Sequence, residues 1–143
     1  MSETNNPWLS KPAAEPEPAS PAAVETTVPP PTGPVAPQRG IPAPDRVDQL
    51  PTRDRPNGAE LWWVGTHGGA GESTLAALVP EWPAGEHAWP RTPGSDPARV
   101  VLVARSHMRG LRAAQAAATQ WASGLVPYIE VLGLVIVSDA PGR

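Results

Sequence analysis

Apolar residues gather in three short continuous runs, 61–65, 100–104 and 131–138, with two helix-like stretches between them. A strand covered on both faces reads as an unbroken apolar run, and Val100-Val101-Leu102-Val103-Ala104 has that form. The first helix is expected from about Ser73, ending before Pro80, which cannot continue it. The second is expected to be N-capped by Ser106 and stopped at Gly124. Its buried stripe is expected to be Met108, Leu111, Ala114, Ala118, Trp121 and Leu125, which fall at helical spacing. The order β-α-β-α-β with apolar strands predicts an α/β fold, a small three-layer parallel sheet with helices on its faces. Between the first helix and the second strand, residues 80–98 hold five prolines and read as an irregular connection, pinned to the core by Trp82 and Trp89. His87 lies in this connection and reads as a surface residue. Three strands make a narrow sheet, so further strands or a partner protein are expected at its open edge.

Proline decides how much of the chain takes part. Of 21 prolines, 14 lie in residues 1–58, among Ala, Glu, Ser and Thr and few large apolar residues. Such a segment buries too little surface to offset its ordering entropy. Residues 1–58 are therefore expected to be a disordered Pro/Ala-rich arm, and residues 59–143 the α/β domain, with the natural chain extending further if strands are missing. The net charge of −3 carries no nucleic-acid signature. Cysteine is absent, which excludes disulfides and thiolate metal sites. The start lacks a secretory pattern, and Val131–Val137 is too short to span a bilayer, so a cytoplasmic protein without membrane attachment is expected.

Ligands of open parallel sheets bind beyond the carboxyl ends of the strands. Here those ends carry Gly65-Thr66-His67-Gly68-Gly69-Ala70-Gly71-Glu72-Ser73-Thr74, then Arg105-Ser106-His107, then Asp139. A glycine loop between strand and helix can present backbone N–H groups and a helix N-terminus to phosphate. His67 to Thr74 resembles the deviant Walker A loop of ParA/MinD-class P-loop ATPases, Lys-Gly-Gly-x-Gly-Lys-[Ser/Thr]-Thr. Val135-Ile136-Val137-Ser138-Asp139-Ala140-Pro141-Gly142 resembles the Walker B strand of that class. The region is also similar to uncharacterised proteins of high-GC bacteria that keep the Gly-Glu-Ser-Thr form. The resemblance implies ATP with Mg²⁺ as ligand and plasmid or chromosome handling as context. Gly68, Gly69, Ala70 and Gly71 would form the cradle, and Ser73 and Asp139 would hold the ion. Thr74 matches the extra threonine of that family.

Both family lysines are replaced, by His67 and Glu72. The only lysine of the chain is Lys11, in the arm. A unit charge about 4 Å from a phosphate oxygen is worth roughly 4 kcal/mol at an effective dielectric of 20. Exchanging attraction for repulsion therefore argues against tight triphosphate binding and ordinary ATP hydrolysis. Glu72 has another reading: its carboxylate complements the helix dipole and could fold over the loop to occupy the anion site itself. Altered nucleotide binding, with Arg105 or Arg109 supplying the charge, is the second reading. A third template fits the same glycines, since Gly65-x-x-x-Gly69-x-Gly71 resembles the loop of short-chain dehydrogenases, with Arg105 placed for an NADP 2′-phosphate. The Tyr-x-x-x-Lys of that family is missing, because Leu132 follows Tyr128 four residues on. A non-enzymatic adaptor with a lapsed nucleotide site is the reading from a different class.

Overall fold

The computed structural model describes Pro30 and residues 33–139. The arm up to residue 29, with Lys11, and the Ala140-Pro141-Gly142 end of the chain lie outside the described residues. The elements are a 3-10 turn Arg46–Asp48, then β1 Thr52–Asp54, β2 Trp62–Gly65, α1 Glu72–Leu78, β3 Trp89–Arg91, β4 Ala98–Arg105, α2 Met108–Ala122 and β5 Ile129–Val137. The fold is α/β with small parallel sheets, as the apolar runs predict.

The larger sheet has the order β2-β4-β5, all parallel. The register pairs Trp62 with Val100 and Val100 with Val131. A bulge then shifts Val101 onto Gly133, so Leu132 is the extra residue. The core lies between this sheet and α2: Trp62, Val64, Val100 and Leu102 pack with Ala117, Trp121 and Ala122. Gly124, with φ +86, ends α2 as its position predicts.

Three expectations are corrected by the packing. The buried face of α2 is Gly110, Ala114, Ala117, Gln120, Trp121 and Ala122, whereas Met108, Leu111 and Leu125 stay exposed. Small side chains let the helix approach the sheet closely, and the long aliphatic ones fall beside the contact. The N-cap of α2 is His107, whose Nδ1 accepts from the Gly110 amide at 2.9 Å, and not Ser106. The connection 80–98 is also more ordered than its prolines suggest. It contains β3, and it docks on the free edge of β2 through Trp63 N to Pro83 O (3.0 Å) and Gly85 N to Trp63 O (2.6 Å). Trp89 is fully buried as expected, and Trp82 tilts against Trp63 at 5.9 Å.

The folded part starts upstream of residue 59. β1 pairs in parallel with β3, Thr52 opposite Trp89. Ile41 and Leu50 pack on the core. The buried Gln120 amide clamps Leu50, accepting its N–H at 2.8 Å and donating to its carbonyl at 3.0 Å. Proline content hides this segment because its few apolar residues are spaced too widely to form a run. No helix among the described residues is long and apolar enough to cross a membrane.

Candidate functional site

Because β2, β4 and β5 are parallel, the segments that follow them emerge at one end of the sheet. Gly65 closes β2, and Thr66 ties the next turn to β4 through its amide and hydroxyl, both donating to Val103 O. Gly69 (φ +76) and Gly71 (φ +105) then take left-handed backbone that side chains resist. Gly71 caps α1. Beside it stands Val137 of β5, close enough that a Cβ on Gly71 would lie 3.7 Å from its Cγ2. Glycine loop, Arg105 and Asp139 are therefore assembled at one rim.

Arg105 bridges the three segments. Its Nε donates to Gly69 O at 3.0 Å and its Nη1 to Ser138 O at 3.2 Å. Its own amide donates to His67 Nε2 at 3.0 Å. His67 Nδ1 lies 2.9 Å from Gly68 O; a carbonyl only accepts, so Nδ1 carries the hydrogen and Nε2 is free to accept. His67, at the first lysine position of the resemblance, is thus a cross-strand link. Its ring lies 5.3 Å from that of His107, and a Cβ on Gly110 would approach its Nε2 to 3.0 Å. Ser106 Oγ accepts from the Asp139 amide at 3.0 Å and so fixes the exit of β5.

Glu72 is where sequence and structure part. It opens α1, yet only 4% of it is exposed. The donors bonded to its carboxylate lie outside Gly68–Gly71. Oε2 accepts from Gly65 N at 2.5 Å and Oε1 from His87 N at 3.1 Å. His87 Nδ1 lies 3.0 Å from the same Oε1 and 3.1 Å from Gly65 O. The expectation that Glu72 folds over the loop into its anion site is corrected: the amides that bond it belong to Gly65 of β2 and to His87, not to Gly68–Gly71. A buried carboxylate is costly unless it is hydrogen-bonded, and this one accepts from two backbone amides and lies within reach of His87 Nδ1.

The 84–88 segment is held from its other side as well. Arg53 Nη1 and Glu86 Oε2 form an ion pair at 2.6 Å, and Arg55 Nη2 donates to Gly85 O at 2.8 Å. Glu86 and His87 both have φ +57, which non-glycine residues adopt only when their surroundings impose it. Sequence reading places His87 on the surface without this link. The signal it leaves is indirect: Glu72 needs donors, and the folded part contains no lysine.

Ser73 and Thr74 are exposed on the first turn of α1. Together with Asp139 they supply hydroxyls and one carboxylate. Among the described residues no three His, Cys, Asp or Glu side chains gather into a metal cage. Mg²⁺ could be held here only with phosphate oxygens completing its shell, and the position of the phosphate-gripping lysine in the resemblance is held by the Glu72 carboxylate, which accepts from Gly65 N and His87 N. The donor set does not fit a tightly held Mg²⁺–triphosphate.

No curated protein and no solved structure matches this chain. One protein family does, over residues 59–143, the span from the approach to β2 through the glycine loop to the end of the chain. The chain therefore belongs to the family of unknown function DUF6668.

Proposed function

We propose that this protein is a P-loop-like module that keeps the glycine loop as architecture and has lost tight nucleotide binding and hydrolysis. Its role is that of a non-enzymatic adaptor, in the setting of plasmid or chromosome handling that the ParA/MinD likeness implies. The observation that carries the reading is the Glu72 carboxylate. It is buried, it accepts two backbone amides, and it joins α1 to β2 and to His87. The residue at the gripping-lysine position thus acts as a structural tie and cannot turn toward a ligand without leaving two amides unpaired. Arg105 does not replace the lysine, since its Nε and Nη1 are engaged by Gly69 O and Ser138 O. That leaves the loop amides and Arg109, exposed on the first turn of α2, to attract an anion, and a solvated charge does so only weakly. The same engagement disfavours the NADP reading, which needs Arg105 for a 2′-phosphate.

Calorimetric titration of the full chain with MgATP, MgADP and NADPH tests the proposal. The expected result is no saturable heat, or dissociation constants in the millimolar range, with no ATP turnover. Micromolar MgATP binding overturns the reading in favour of an altered nucleotide site. Micromolar NADPH binding overturns it in favour of a dinucleotide module.

A further inference from the structure

The loop between β1 and β2 holds a reactive pair of residues outside the glycine-loop rim. The chain has three asparagines, Asn5, Asn6 and Asn57, and only Asn57 is followed by glycine. No aspartate precedes glycine anywhere in the chain. An asparagine side chain ends in an electrophilic amide carbon, and the backbone nitrogen of the next residue can close a succinimide ring on it. Three things oppose closure: a Cβ on the next residue, a hydrogen bond that holds its nitrogen, and a rigid backbone. Glycine removes the first, having no Cβ and the widest choice of dihedral angles.

The fold removes the other two. β1 ends at Asp54 and β2 begins at Trp62. Arg55 anchors one end of the loop, its N–H donating to Arg91 O at 2.8 Å and its Nη2 to Gly85 O at 2.8 Å. Ala59 packs against the core at the other end. Between these anchors Pro56, Asn57 and Gly58 are exposed and belong to no helix or strand. Among the described residues no backbone carbonyl accepts from the Gly58 N–H. A Cβ at Gly58 would meet nothing within 4 Å, so a ring formed there has open space around it. Exposed backbone with few apolar contacts lies at the low-stability end of a fold, where dihedral excursions cost little.

We infer that Asn57 is a site of spontaneous covalent modification in the folded protein, deamidating through a succinimide to aspartate and isoaspartate. The Gly58 nitrogen gives up its proton and attacks Asn57 Cγ. The N–Cγ bond forms, the Cγ–Nδ2 bond breaks, and ammonia leaves with that proton. Water, the only co-reactant, then opens the ring at either carbonyl. Opening at Cγ restores the ordinary backbone with an aspartate at position 57. Opening at the backbone carbonyl leaves the chain running through Cβ and Cγ, one methylene longer, with the α-carboxylate as the side group. Either product adds one negative charge to the −3 of the chain. The new carboxylate arises two residues from Arg55, whose guanidinium donates to Gly85 O and lies 3.6 Å from Glu86 Oε2. The modification thus changes charge beside the contact that joins β1 to the 84–88 segment. Because Pro56 to Gly58 project from the fold, the longer backbone is absorbed there.

Timed incubation of the full chain in mildly alkaline buffer at physiological temperature tests this. Anion exchange follows the charge, and peptide mapping locates it. An isoaspartyl methyltransferase with labelled S-adenosylmethionine is the probe for the isoaspartyl product. The expected result is a more acidic form that accumulates with time, its label confined to the peptide holding Asn57. A synthetic peptide of residues 53–61 supplies the unrestrained rate. The folded chain should convert within about tenfold of that rate, since the loop restrains it little. Asn57→Gln should remove the acidic form, and Gly58→Ala should slow its appearance at least about tenfold by returning a Cβ to the attacking residue. Both substitutions lie in the exposed loop and should leave the melting midpoint unchanged. The comparison of wild-type chain with peptide needs no variant. A folded chain more than about tenfold slower than the peptide, label at another residue, or an acidic form that arises equally fast in Gly58→Ala overturns the inference.

Discussion

At Gly65 the space for a side chain is taken. A Cβ there would lie 2.8 Å from His87 Nδ1 and 2.9 Å from the Glu72 carboxyl carbon. Gly65→Ala should therefore push the His87 ring and the carboxylate out of register and cost about 1–3 kcal/mol, seen as a lower melting midpoint. Gly110→Ala should cost more. Alanine gains about 1 kcal/mol over glycine in a helix interior, but its Cβ would stand 2.3 Å from Arg105 O, a backbone atom that cannot rotate away. Glu72→Gln isolates the charge. The amide keeps one acceptor oxygen for two N–H donors and turns an NH₂ toward the other, so about 1–3 kcal/mol should be lost in chemical denaturation. Were Glu72 instead an idle relic at the loop surface, the substitution would be neutral.

Between elements, the informative contact is the one that proline content conceals. Gln120 grips Leu50 in both directions, and β1 lines up on β3 so that Trp89 is sealed beneath them. A fragment beginning at residue 59 matches the family span, yet it lacks both β1 and Leu50. It should unfold at a lower temperature than a fragment beginning at residue 33, with Trp89 fluorescence shifted to the red. Equal midpoints would mean that β1 adds nothing to the fold. Within the same layer, Gln120→Leu preserves size but leaves Leu50 N–H and C=O without partners, and should cost about 1–3 kcal/mol. The strands and helix ends were legible because runs of Val, Ile and Leu, Pro80 and Gly124 act locally. The burial of α2 was legible only in part. Its period is helical, but whether leucine or alanine faces the sheet depends on how closely the sheet stands.

For the whole molecule, the parallel order brings the glycine loop, Arg105 and Asp139 to one rim, as three polar strand ends suggest. Shared position alone does not make them a ligand site, and several of their groups are engaged by neighbouring segments, among them the His67 ring and the Arg105 Nε and Nη1. His67 and Arg105 connect strands, Ser106 holds the Asp139 amide, and Glu72 ties α1 to β2 and to His87. The absence of saturable MgATP binding is accordingly the expected behaviour of the intact chain. The sequence by itself determined the three strands of the larger sheet, the two helices between them and the missing lysine, since burial periodicity and backbone preference are encoded within a few residues; it concealed β1 and β3. Only the tertiary structure decided where the Glu72 carboxylate points, which face of α2 is buried and where the fold begins. Each of those depends on donors and surfaces contributed by residues far away in the chain.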